Sequence, residues 1–240
     1  MMKGRLGIVT AALCTAVLAG AIACAQRQSE PAPNSEPARP APPAPNAAES
    51  PAPRPRIVAL GDSLTAGLGL NPEQAYPALL QQRLNEAGLH YDVLNGGVSG
   101  DTSAGGVRRL DWALEGDVRV LIVALGGNDA LRGLPVDELR RNLASIIERA
   151  QARGIEVILA GMEAPPNFGR DYFVAFHDVY PSLAKQYNVK LVPFLLDGVA
   201  GLETMNQRDG IHPTAEGAQK IADNVWAVLK PVVEGHAQRK

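Results

Sequence analysis

From residue 56 onward, short runs of Val, Ile and Leu alternate with longer stretches in which apolar residues recur every third or fourth position. The runs RIVAL (56–60), YDVLN (91–95), VRVLIVAL (118–125), IEVILA (155–160) and VKLV (189–192) are more continuous than alternating. Strands covered on both faces, as in a parallel sheet, have that pattern. The stretches between them read as helices. Residues 74–87 place Tyr76, Leu79, Leu80 and Leu84 on one face and stop at Gly88. Residues 136–153 place Leu139, Leu143, Ile146, Ile147 and Ala150 at helical spacing and stop at Gly154. Two more long helices are predicted, over 171–187 and over 214–229, the second bounded by Pro213 and Pro231. A shorter one follows Thr102. Trp112 and Trp226 fall in helices and are expected in the core. His177, in a helix with Phe173, Phe176 and Tyr180, reads as a packing or surface residue. Five strands with helices between them predict an α/β fold, a doubly wound five-stranded parallel sheet with right-handed crossovers placing helices on both faces.

The first 55 residues follow a different pattern. Lys3 and Arg5 precede an uncharged run over 6–23 that ends Ala21-Ile22-Ala23-Cys24. A positive start, an apolar middle and a small-residue end mark a secretory signal, here residues 1–23. Ala21-x-Ala23 suits ordinary signal peptidase. The same residues directly before Cys24 suit a bacterial lipobox, in which Cys24 is lipidated and becomes the mature N-terminus. An uncleaved anchor is the third option, since the run nearly reaches spanning length. Residues 24–55 form a Pro/Ala-rich linker: 25–55 holds ten of the 19 prolines and eight alanines. It offers no large apolar side chains to offset chain entropy. Extended polyproline gives such a spacer a long reach. The expected organisation is signal, linker, and one domain over 56–235, tethered to a membrane in the bacterial periplasm.

Charge and cysteine usage narrow the classes. The formal net charge is −2, which argues against binding a phosphate backbone and hence against a nucleic-acid partner. Both cysteines, Cys14 and Cys24, precede the domain, so a disulfide or thiolate metal site within it is excluded. The four histidines, His90, His177, His212 and His236, are never closer than 24 positions, and no H-x-H or H-E-x-x-H pattern exists. A metal centre is not expected.

In a doubly wound sheet the chemistry belongs in loops at the carboxyl ends of the strands. Those loops are GDSLTAG (61–67), GGVSGDT (96–102), GGND (126–129), residues 162–170, and DGIHP (209–213). No G-x-x-x-x-G-K-[ST], G-x-G-x-x-G or G-x-S-x-G motif occurs, which removes the common nucleotide-binding and α/β-hydrolase readings. Acyl transfer needs a nucleophile, a base, a group that orients the base, and donors for the developing oxyanion. His212 is the only histidine in a strand-end loop and is the candidate base. Asp209, three residues earlier, is placed to accept from its ring. Ser63, just past the first strand, is the candidate nucleophile, with Ser99 as a rival. Asp62, Asp101 and Asp129 are expected to hydrogen-bond loop backbone.

GDSLTAG, SGDTS (99–103), GGND and DGIHP, in that order and each at a strand end or before the last helix, resemble the four blocks of the SGNH (GDSL) hydrolase family. The resemblance spans residues 56–233. PPNFGRDY (165–172) and YPALL (76–80) look most like the bacterial acyl-CoA thioesterase I / lysophospholipase / arylesterase branch. It implies a three-layer α/β/α, flavodoxin-like fold and a triad of Ser63, Asp209 and His212. It also implies an oxyanion hole of Ser63 N–H, Gly100 N–H and the Asn128 amide, preferring Gly100 over Gly96 or Gly97 and Asn128 over Asp129. The expected activity is that of a serine esterase acting on small ester, thioester or lysolipid substrates, with no cofactor and as a monomer. Ala164 and Pro165 are candidate substrate-binding residues, and the small Ala164 argues against a long-chain acyl preference. The alternatives are a carbohydrate acetyl-esterase and a non-catalytic, membrane-tethered binding protein.

Overall fold

The computed structural model describes residues 54–238. The signal, most of the linker and Cys24 lie outside them. The chain from residue 50 onward is one compact unit, and every buried apolar side chain described lies within 57–233. Within the described residues these side chains form one continuous core.

Five parallel strands form one sheet: β1 (Arg56–Gly61), β2 (Asp92–Gly97), β3 (Val118–Ala124), β4 (Glu156–Ala160) and β5 (Lys190–Val192), in the order β2-β1-β3-β4-β5. β1, β3 and β4 are almost wholly buried, as their continuous apolar runs require. The first helix, α1 (Ser63–Ala66), is a single turn directly after β1, and α2 (Tyr76–Glu86) follows a 3₁₀ turn at Pro72–Gln74. Next come α3 (Ser103–Ala113), the short α4 (Gly127–Leu131), α5 (Val136–Gln151), α6 (Arg170–His177), α7 (Val179–Tyr187) and α8 (Ala215–Ala237). α2 packs with α8 on one face of the sheet, while α3, α5 and α7 pack in succession on the other. The result is the expected three-layer α/β/α architecture.

Strand order reverses between β1 and β3, since the chain runs from β1 to β2 on one side and then crosses back to β3. Gly61 is level with Gly97 of β2 and Ala124 of β3. The loops after these three strands therefore emerge side by side at a topological switch point, where open α/β sheets bind ligands.

Three helical expectations needed correction. The helix predicted over 171–187 is two helices that break at Asp178. Pro181 lacks the N–H that would bond the His177 carbonyl, and a fresh start at Val179 puts the proline in a first turn, where this costs nothing. The last helix does not close before Pro231 but continues to Ala237. An interior proline costs about 3 kcal/mol. Burial of Val232 and Val233 beyond it offsets that at about 1.5–3 kcal/mol each. Trp112 is not in the core: it is 63 % exposed. α3 buries Gly106, Leu110 and Ala113, and two residues past Leu110 is about 200° round the helix. Trp226 is half-buried against the core, and α1 and α4 lie inside stretches that read as loops.

Candidate active site

Ser63 owes its place to two glycines. A side chain on Gly61 would collide with the Thr65 side chain and the Ala124 carbonyl, and one on Gly97 with the backbone at Ala66. Without them β1 turns at once into α1, which sits tight against the end of β2. Asp62 caps the turn, its Oδ1 accepting from Leu64 N–H at 3.0 Å. Ser63 is thus the first residue of α1, half-buried, and its N–H has no intrahelical acceptor.

The loop between β5 and α8 brings the histidine in. Asp209 Oδ1 accepts from the backbone N–H groups of Ile211 (2.9 Å) and His212 (3.0 Å), and its Oδ2 lies 2.6 Å from His212 Nδ1. The bond from His212, reinforced by those two backbone bonds, holds the Asp209 carboxyl well below the usual carboxylate range. With Nδ1 donating to Asp209, Nε2 is left to accept, and Ser63 Oγ lies 2.9 Å from it. The loop is fastened across the mouth by Gln207, whose Nε2 donates to the carbonyls of Leu68 (2.8 Å) and Pro213 (2.9 Å). Ser63, His212 and Asp209 form one hydroxyl–imidazole–carboxylate chain.

Gly100 and Asn128 come from the loops after β2 and β3. Gly100 has φ +82°, a conformation glycine adopts without strain. Arg132 Nη2 donates to its carbonyl at 2.7 Å, while among the described residues its N–H bonds to no protein acceptor. Asn128 lies on α4. The Asn128 amide donates to Asp101 O (3.0 Å) and, more weakly, to Asp62 Oδ2 (3.3 Å).

The three loop aspartates differ. Asp62 is buried, and burial pushes its carboxyl up to about 6 against the opposing bonds from Leu64 N–H and Asn128. Asp129 accepts from Ser103 N–H at 2.8 Å and Ser103 Oγ at 2.5 Å, with Asn142 donating to the same hydroxyl. Asp101 does not bond loop backbone through its side chain. It pairs with Arg109 at 2.6 Å, and that arginine also donates to the carbonyls of Gly96 (2.6 Å) and Gly61 (2.7 Å). One half-buried guanidinium therefore ties together the ends of β1 and β2 and the Gly100 turn. Sequence reading missed Arg109, as no spacing rule links it to residues 48 positions away. Ser99 is exposed and stands outside the histidine chain. His177 is largely exposed and meets Glu163 at 2.6 Å. Ala164 is buried and Pro165 half-buried on a loop whose Met162 lies against Gly127, beside Asn128.

Residues 59–220 match the GDSL-like lipase/acylhydrolase family model. The chain belongs to that family. Among relatives, the esterase TesA of Pseudomonas aeruginosa is 46 % identical over 178 residues, 74 % of this chain and 89 % of that one. The thioesterase 1/protease 1/lysophospholipase L1 of Escherichia coli K12 is 38 % identical over 74 % of this chain and 84 % of that one. A crystal structure of TesA superposes with a TM-score of 0.71, covering 73 % of this chain and 98 % of that one. This GDSL-family member is accordingly a serine esterase, an ester-bond hydrolase of the arylesterase, lysophospholipase and thioesterase type. The carbohydrate esterase alternative draws weaker support: the acetylxylan esterase of Xylanibacter ruminicola is 27 % identical, with 43 % of its length covered.

Proposed function

We propose that Ser63 is the nucleophile, His212 the general base and acid, and Asp209 the group that orients it. The observation carrying this is the unbroken chain from Ser63 Oγ through His212 to Asp209, at 2.9 and 2.6 Å. Ser63 attacks the ester or thioester carbonyl as His212 takes its proton. The oxyanion is met by the N–H groups of Ser63 and Gly100 and by the Asn128 amide, which releases its longer bond to Asp62. His212 then protonates the leaving alcohol or thiol, and water repeats the cycle on the acyl-enzyme.

The substrates in this proposal are aryl esters, short to medium acyl esters and lysolipids, with Ala164 and Pro165 on the acyl side of the site. Export follows from residues 1–23, and lipidation of Cys24 tethers the domain in the periplasm by the linker over 24–55. A panel of p-nitrophenyl esters of rising chain length, with lysophosphatidylcholine and acetylxylan, tests the substrate class. Hydrolysis should fall off toward long chains and exceed that of acetylxylan; acetylxylan as the best substrate would overturn the assignment. Mass spectrometry of the N-terminal peptide from membranes should show Cys24 carrying diacylglyceryl and acyl groups, and a free Cys24 would remove the tether.

A further inference from the structure

The mouth of the site is ringed by apolar side chains that nothing in the domain covers. Leu68, Val98, Leu131, Phe168, Leu202 and Ile211 are each between 40 % and 49 % exposed. They come from five separate chain segments at the carboxyl end of the sheet, and Leu202 lines one cavity with Gln207, Arg208 and Gly210 of the histidine loop. Leu68 is held to the Asp209 loop by Gln207. Val98 N–H donates to Gly61 O, beside Ser63. Leu131 precedes Arg132, which grips Gly100. The Phe168 ring lies against Gly133, and Ile211 adjoins His212. Two more exposed apolar residues, Phe173 and Val174, continue the ring along α6. Among the described residues only Leu94 and Trp112 are large, apolar and exposed elsewhere.

Scattered exposed hydrophobics are ordinary, but a set gathered round one opening marks an interaction surface. We infer that this rim is a bilayer-docking surface, which presents the site to esters gathered at a membrane surface, short-chain esters and lysolipids among them. The inference rests on the esterase reading above, because it is continuous with the opening through which an acyl ester must reach Ser63. The chemistry of the rim suits a phospholipid surface. Arg132, Arg170 and Arg208 stand beside the apolar residues on three of its loops and are exposed, where a guanidinium meets lipid phosphate while its stem lies among acyl chains. Asp171, Glu203 and Asp209 share those segments, so the rim carries no net positive charge and insertion of its apolar side chains carries the binding.

The test uses residues 50–240, the compact unit, so that no lipid anchor contributes. A Ser63→Ala version should float with vesicles of about three parts phosphatidylethanolamine to one part phosphatidylglycerol. Adding Leu131→Ser, Phe168→Ser and Leu202→Ser should weaken that partition by at least about tenfold. The same three changes with Ser63 intact should leave kcat/KM for p-nitrophenyl acetate within about twofold, since none touches the triad or its donors. Should the triple variant misfold, Leu68→Ser with Val174→Ser must show the same loss. Leu94→Ser with Trp112→Ser should leave partition unchanged. Absence of vesicle binding by the parent, equal binding by both rim variants, or a concentration-dependent dimer in place of vesicle binding would overturn the inference. Absence of p-nitrophenyl acetate hydrolysis by residues 50–240 with Ser63 intact would instead strike the esterase reading and leave vesicle binding as measured.

Discussion

The two ends of the sheet each hold a histidine between a carboxylate and a hydroxyl. At the carboxyl end His212 joins Asp209 to Ser63. At the other end His236 of α8 meets Glu156 Oε2 at 2.9 Å through Nε2 and the Tyr91 hydroxyl at 3.3 Å through Nδ1. This second cluster even borders a cavity of about 430 Å³, lined by Glu156, Lys190, Val228, Pro231, Val232 and Gly235. What separates the two is their setting. The Tyr91 hydroxyl is a phenol whose ionisation burial makes harder still, and it belongs to no glycine turn with backbone N–H groups facing outward. At the carboxyl end, Gly61 and Gly97 make room for the turn that carries Ser63, and the Gly100 N–H bonds to no protein acceptor among the described residues. A histidine, an acid, a hydroxyl and a cavity do not by themselves make a hydrolase; in the mechanism proposed above, donors to the oxyanion are what the far cluster lacks. The far cluster works as a clasp, fastening the end of α8 to the start of β4 and to Tyr91.

The sharpest way to break this comparison is Ser63→Ala. It should lower kcat by about 10⁴-fold or more with an unchanged melting temperature; ordinary turnover in that variant would return Ser99 to consideration. Asn128→Ala asks whether donors make the difference. Removal of one donor to the oxyanion should cost about 10²–10³ in kcat, or 2.7–4 kcal/mol, with KM little changed. A well-folded variant with normal kcat would take Asn128 out of the oxyanion hole.

The buried acid beside the site gives a pH test. With its carboxyl raised to about 6, the folded chain keeps a proton on Asp62 that the unfolded chain has already released. Stability from this group therefore falls as pH rises from about 4 to about 6 and stays lost above, by up to about 3 kcal/mol. Asp62→Asn, which cannot ionise, should gain stability relative to the parent over that range in denaturation curves; a pH-independent difference would contradict the burial argument. The smallest effect belongs to the clasp. Tyr91→Phe should leave kcat unchanged and lower stability by about 1 kcal/mol, or about 2–4 °C. A fall in kcat there would mean that the two ends are coupled.

How much of this was legible depended on distance along the chain. Asp209 and His212 are three residues apart, and Ser63 directly follows a strand, so strand-end logic alone singled out three side chains that the fold brings together. Gly100 and Asn128 needed the family resemblance, because several glycines and polar residues in their loops are equivalent until the loops are folded. A backbone bond at Asp129 was expected, but its partner Ser103 and the parts played by Asn142 and Arg109 were invisible, since these groups meet only through strand order and helix packing. Trp112 and Pro231 misled for opposite reasons. Apolar character does not say which side of α3 faces inward, and burial of Val232 and Val233 outweighs the local preference of a proline.

The route by which the chain enters the domain has a mechanical consequence. Pro55 O accepts from Asp92 N–H and Arg54 pairs with Asp92, so the chain arrives at the foot of the sheet. Ser63 opens at the top, the length of β1 away, about 20 Å. If Cys24 is lipidated as proposed, the leash therefore joins the domain at the end of the sheet opposite its mouth. To graze the anchoring bilayer the body must bow over on its leash, and the thirty residues from Cys24 to Arg54 can reach at most about 100 Å, several times the height of the strand. A leash of a few residues would leave the same mouth able to feed only on a facing surface.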